Sequence, residues 1–172
     1  LSSVMPAAIL WRISTRLLLR NQIFIRNWNS KCCLSMNIIT ISDGRYPKLL
    51  KKIGKTAPKQ LFYKGDWQEE LFNNCLAVVG SRRLTSYGRQ AIEMLVTEAA
   101  AAGITIVSGF MYGGDAQAHK FAVRAGGRTI AVMPCGIERI HPEDQEDLYR
   151  DILDNKGLII SEYKGDMLPS IW

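Results

Sequence analysis

Leu76-Ala77-Val78-Val79-Gly80-Ser81-Arg82-Arg83-Leu84-Thr85-Ser86-Tyr87-Gly88 and, further on, Ile104-Thr105-Ile106-Val107-Ser108-Gly109-Phe110-Met111-Tyr112-Gly113-Gly114-Asp115-Ala116-Gln117-Ala118-His119 follow one plan: apolar strand, small-residue turn, helix. Two such units in succession predict that both turns lie at the same edge of one parallel sheet. Glycines there let the backbone approach a ligand, Ser81 and Ser108 offer hydroxyls, and the helices that follow aim unpaired amides at the crevice. The chemistry suits a phosphate.

The same alternation continues outward. A helix is predicted over about 86–102, capped by Thr85 and closed by Gly103, and another over about 115–125, closed by Gly126-Gly127. A strand at 129–133 runs into Pro134-Cys135-Gly136, an acidic-start helix spans about 143–155, and a strand at 158–160 ends in Ser161-Glu162. Strands alternating with long helices imply an α/β fold: a Rossmann-like, doubly wound parallel sheet. Ahead of it, Tyr46-Pro47 opens a short helix ending near Gly54, and 61–64 reads as a strand stopped by Gly65-Asp66, a small leader packed on the sheet. The expected organisation is a basic extension (1–35), the leader (36–70) and the Rossmann-like domain (71–172).

The chain has 172 residues, 47% hydrophobic and 22% charged, enough for one substantial core. Its formal charge of +6 is concentrated at the start, because residues 1–35 carry five basic and no acidic residues. The remainder, at +1, gives no bulk argument for nucleic acid, so any anion site there must be local. Cys32, Cys33, Cys75 and Cys135 lack metal-ligand spacing and only two histidines are present, which argues against a metal centre. Cys75 is expected to open a buried strand, and all four cysteines to be reduced packing residues of a cytosolic protein.

Arg12, Arg16 and Arg20 recur every fourth residue and form a basic stripe if residues 1–35 are helical. The stripe admits three readings: an organellar presequence, a surface-seeking amphipathic helix, or translated sequence upstream of the real start. The third fits best with Met36-Asn37-Ile38-Ile39-Thr40, which resembles a natural beginning. The longest uncharged run, residues 1–11, is too short to span a bilayer.

Among candidate site residues Arg82 is the sharpest, a fixed-charge fork beside backbone donors. Asp115 and His119 stand four apart on one helix face, so Asp115 can orient His119 toward a ligand. The preferred reading is structural: Asp115 caps the helix and His119 bonds a neighbouring loop. Tyr112, between polar and glycine neighbours, is expected to be an exposed stacking platform, and Phe110 a core residue. No Gly-x-Gly-x-x-Gly follows the first strand and no Walker sequence is present, which disfavours a dehydrogenase or an NTPase. No nucleophile with a matched base is apparent, and a binding module fits better than a catalyst.

Gly80-Ser81-Arg82-x-x-Thr85-x-Tyr87-Gly88, Ser108-Gly109 leading to Gly113-x-Asp115-x-x-Ala118-His119, Gly127-x-Thr129-Ile130-Ala131-Val132 and Ser161-Glu162, in this order, resemble the DprA/Smf family of DNA-processing proteins. The resemblance covers about residues 36–172. It implies a cytoplasmic, non-enzymatic protein without cofactor or metal. Such a protein binds single-stranded DNA without sequence preference during natural transformation, protects it and assists loading of a RecA-type recombinase. It further implies homodimer formation, no membrane association, and DNA contact by Gly80, Ser81 and Arg82, with Ser108, Gly109, Tyr112, Asp115 and His119 completing the crevice. Tyr112 stands where the family commonly has a basic residue, and His141-Pro142 where it often has Tyr-Pro. Trp172 falls where the family continues into a Phe-Pro-x-Arg-Asn-Arg segment and further strands, so the sheet is expected to be incomplete on its C-terminal side. The alternative is a nucleotide-binding or nucleotide-hydrolysing enzyme of the related phosphoribohydrolase-like superfamily. Pro134-Cys135-Gly136 matches only part of that group's Pro-Gly-Gly-x-Gly-Thr loop.

Overall fold

The computed structural model describes residues 35–169; the basic extension and the last three residues lie outside the described residues. One six-stranded sheet organises the chain. Four parallel strands, β3 (Cys75–Ala77), β4 (Thr105–Gly109), β5 (Thr129–Val132) and β6 (Leu158–Ser161), lie side by side in chain order. Beyond β6, β2 (Gln60–Gly65) joins antiparallel, and β1 (Asn37–Thr40) joins β2 antiparallel. The leader thus lends two strands to the sheet in addition to packing on it. β1 went unrecognised in the sequence because Asn37-Ile38-Ile39-Thr40 is four residues long, too short for alternation to stand out.

Between the strands run α2 (Ser86–Ala101), α3 (Gly114–Arg124) and α4 (Glu146–Asp154), while α1 (Lys48–Lys51) belongs to the β1–β2 connection. Successive parallel strands are neighbours in chain order, so right-handed crossovers place all three long helices on one face. Strand alternation confirms this. Ile106, Ala131 and Ile159 pack with the helices, around Phe110, Phe121, Leu148 and Ile152. Val107, Ile130, Leu158 and Ile160 face the other way, onto Tyr46, Leu50, Trp67 and Leu71. The leader and the β2–β3 connection therefore cover the second face, and the Rossmann-like, mostly parallel architecture expected from the alternation is present.

One expectation about burial is corrected. β3 was expected to be a buried strand opened by Cys75, but Cys75, Leu76 and Ala77 are all exposed. β3 is the sheet edge among the described residues, and an apolar sequence is buried only where neighbours cover both faces. Val79, at 88% exposure, lies beyond the strand.

Candidate nucleic-acid interface

Parallel orientation puts the carboxyl ends of β3 and β4 on the same rim, and the two junctions that follow them touch through bare backbone. A Cβ on Gly114 would sit 2.5 Å from the Gly80 Cα. A Cβ on Gly113, whose φ is +76°, would sit 2.1 Å from the Ser81 carbonyl oxygen. The Gly114 N–H donates to that same carbonyl at 3.0 Å. Glycine is required here for two reasons, absence of a side chain and a left-handed φ, and both serve to seat the Gly80 loop on the start of α3.

The Asp115 carboxylate fills the space between the junctions. It accepts from the Met111 N–H at 3.4 Å, and its Oδ2 occupies the place a Cβ on Gly109 would need, at 2.5 Å. Burial raises its pKa above the ordinary carboxylate value, against the opposing pull of the Met111 amide, the Ser108 hydroxyl, the Gly80 amide and the Arg82 guanidinium. The anion that these amides were expected to await is thus supplied by the chain itself. Asp115 bonds the Met111 amide of its own turn and lies close to the Gly80 amide of the other.

His119 lies deeper and has no exposed surface. Its Nε2 is 2.7 Å from the Gly109 carbonyl, which only accepts, so Nε2 carries the proton. Its Nδ1 is 2.7 Å from Thr129 Oγ1, which also lies 2.8 Å from the Ile106 carbonyl. Burial pushes the His119 pKa down to about 4, so the ring is neutral at pH 7. Ser108 is buried as well, and its hydroxyl donates to the Val78 carbonyl at 2.6 Å, lacing β4 to the end of β3. Ser108, Gly109, Asp115 and His119 therefore build the rim from within. His119 does not reach the surface, so Asp115 does not orient it toward a ligand; nor does Asp115 cap α3, since Gly113 stands at the cap position and Asp115, one residue inside the helix, accepts from Met111 instead.

The outer tier consists of Ser81, Arg82, Arg83 and Tyr112, all exposed. Ser81 Oγ accepts from the Arg83 N–H at 3.1 Å, which bends the loop and leaves the hydroxyl proton free to donate outward. Arg82 has no hydrogen bond or ion pair among the described residues, so its guanidinium faces solvent next to the Asp115 cradle. Thr85 caps α2 by accepting from the Gly88 N–H at 3.1 Å, fixing where the loop ends. The Tyr112 hydroxyl donates to Asp144 at 2.8 Å, holding the ring at 45% exposure, and this carboxylate contact raises the phenol pKa. Arg83 escaped the sequence reading although its signal, a second arginine beside the first, was plain; Asp144 could be found only through the fold. No group of metal-binding residues occurs among the described residues, and no helix there is long and apolar enough to cross a membrane.

Comparison with known proteins converges on one family. The sequence model of DNA recombination-mediator protein A matches residues 37–172. The DNA processing protein DprA of Bacillus subtilis (strain 168) is 34% identical over 137 residues, covering 80% of this chain and 46% of the relative. Protein Smf of Escherichia coli (strain K12) is 37% identical over 112 residues, covering 65% of this chain and 30% of the relative. The X-ray structure of DprA from Streptococcus pneumoniae superposes with a TM-score of 0.70 at 34% identity, covering 82% of this chain and 48% of that one. DNA processing protein A from Helicobacter pylori, whose structure is described for its single-stranded DNA binding mode, gives a TM-score of 0.67 at 33% identity, with 80% and 60% covered. The chain spans less than half the length of the curated relatives it matches.

Proposed function

The chain belongs to the DNA recombination-mediator protein A family, and from that premise we propose that its first β-to-α junction holds the phosphates of single-stranded DNA without reading the bases. The observation that carries this reading is Arg82: a solvent-facing guanidinium, with no hydrogen bond or ion pair among the described residues, on a loop whose backbone is seated glycine to glycine on α3. Arg82, Arg83 and the Ser81 hydroxyl present charge and a donor to a phosphodiester, while the first turn of α2 adds its dipole. Tyr112 offers a ring for base stacking, which tolerates any sequence. A binder rather than a catalyst is supported by the fate of His119, the best general-base candidate, which is sealed in the interior.

Arg82→Ala should weaken oligothymidylate binding about tenfold, to a similar degree for unrelated sequences, and lower the salt slope of log affinity by about 0.7. A loss confined to one sequence, or none, removes the proposal. In DNA processing during natural transformation, such a surface protects incoming strands and assists a RecA-type recombinase in the cytoplasm, as a homodimer. The recombinase part is checked by the lag of filament assembly on single-stranded DNA, which added protein should shorten; an unchanged lag rejects it. Sedimentation across a concentration series reports the dimer, and a single monomeric species throughout would exclude it. Fractionation of cells of the source organism reports location; recovery with membranes would refute a cytoplasmic protein.

A further inference from the structure

The β1–β2 connection carries charge that the crevice does not use. Residues 43–59 hold Arg45, Lys48, Lys51, Lys52, Lys55 and Lys59 against Asp43 alone, a net of +5. Residues 60–172 hold 11 basic and 15 acidic residues, a net of −4. The near-neutral total of residues 36–172 therefore conceals a cationic pole on an anionic body. All six cations are exposed, and only Arg45 is engaged, by Asp43 at 2.9 Å. The ammonium groups of the five lysines have no hydrogen bond or ion pair among the described residues.

Register places this pole at the functional rim. Phe62 of β2 pairs with Ser161 at the carboxyl end of β6, and Thr40 of β1 pairs with Gln60. The connection therefore leaves the sheet at the edge from which the β-to-α junctions emerge. The point where it leaves the sheet lies about 19 Å from the end of β3 along the rim, four strand spacings of about 4.8 Å. The connection then folds over the second sheet face, where it encloses a cavity of about 310 Å³ with the β2–β3 segment. Pro47, Leu49 and Phe72 give this cavity apolar walls, Asn73 an amide, and Arg45, Lys48 and Lys52 a cationic margin that outnumbers the one carboxylate, Glu69. Apolar walls, one amide and adjoining cations match a planar base attached to a phosphate.

We propose that the β1–β2 connection is a second nucleic-acid contact, which seats a base in this cavity and carries the adjoining phosphodiesters on Lys48, Lys51, Lys52 and Lys55. The proposal rests on the reading of the chain as a single-stranded DNA binder. It assigns the long-range attraction to the connection, because the rest of residues 36–172 repels a polyanion. Glu162, directly after β6 and so between the two contacts on this rim, keeps them separate, and only a strand long enough to bridge engages both.

The test titrates the full chain with oligothymidylates of about 6 and about 20 nucleotides, and with free dTMP, at several salt concentrations. Replacing Lys48, Lys51, Lys52 and Lys55 together by Gln should lower the salt slope for the longer strand by about 2 to 3, against about 0.7 for Arg82→Ala. Leu49→Asp, at a position 65% exposed, should weaken the same strand while sparing the fold, which thermal melts verify. A wild-type slope in the lysine variant with loss in Arg82→Ala overturns this inference and leaves the proposed function standing. Loss in the lysine variant with none in Arg82→Ala retains this contact and removes the crevice. If the lysine variant loses dTMP but binds the longer strand unchanged, the cavity is a free-nucleotide site and the strand assignment falls. No binding by the wild-type chain overturns both readings.

Discussion

Helix α3 buries six of its 11 residues, Phe121 and His119 among them, whereas α2 buries only Val96 and Ala100 of its 16. The strands before them differ in the same sense: β4 lies between two partners with Ile106 fully buried, and every residue of β3 is exposed at the sheet edge. Two junctions written in one sequence plan thus have opposite mechanical roles. The second junction is a scaffold that fixes backbone positions, and the first is a surface held in place by that scaffold. The exposed cations, Arg82 and Arg83, are on the first; the second holds the groups whose removal should unfold the protein and exposes the Tyr112 ring.

The hardest test of that contrast is Gly114→Val. Its Cβ would lie 2.5 Å from the Gly80 Cα, and backbone cannot yield there, so stability should fall by more than about 4 kcal/mol or the chain should fail to fold. A wild-type urea midpoint would break the idea that the two junctions are welded.

Acid offers the next test. The folded His119 pKa of about 4 lies below the roughly 6.5 of an unfolded chain, so unfolded molecules bind a proton that folded ones refuse. Stability from this group is complete above about pH 6.5 and is lost as pH falls toward 4, about 3 kcal/mol in all. Urea melts at several pH values should show a shallower pH dependence for His119→Gln; parallel profiles would mean that the buried ring titrates normally.

Smaller effects belong to the exposed side of the two junctions. Thr85→Ala removes the cap of α2 and should cost about 1 kcal/mol in thermal stability. Tyr112→Ala should leave the melting curve in place and weaken oligonucleotide binding about fivefold; a shifted melt with intact affinity would move Tyr112 into the scaffold. Least affected should be Leu95→Lys, at a side chain 62% exposed on α2, where stability should change by no more than about 0.5 kcal/mol. A larger loss would show that this helix face is covered.

Much of this architecture was legible before any coordinates. The predicted helix at 86–102 appears as Ser86–Ala101, with Thr85 capping it, because cap chemistry and the closing glycine are local signals. The predicted helix at 143–155 begins as a short 3-10 turn, Glu143–Gln145, before α4 takes over, a boundary shift of the kind that acidic first turns permit. Gly80, Arg82 and Asp115 were picked out through residue type and position after strands. Illegible were β1, whose pairing depends on β2, and the exposure of β3, which depends on its place at the sheet edge among the described residues. The lysines of the β1–β2 connection were visible as residues, but their charge was averaged away against acids elsewhere in the fold.

By itself the sequence determined the alternation of strands and helices, the glycines at the turns and the identity of the groups that gather at the rim, since these follow from side-chain period and backbone freedom. Tertiary structure alone decided which of those groups face water. Asp115 and His119 turned inward because amides and carbonyls at the second junction needed partners out of solvent, and Arg82 stayed outside because, among the described residues, β3 is the sheet edge and none packs over its loop.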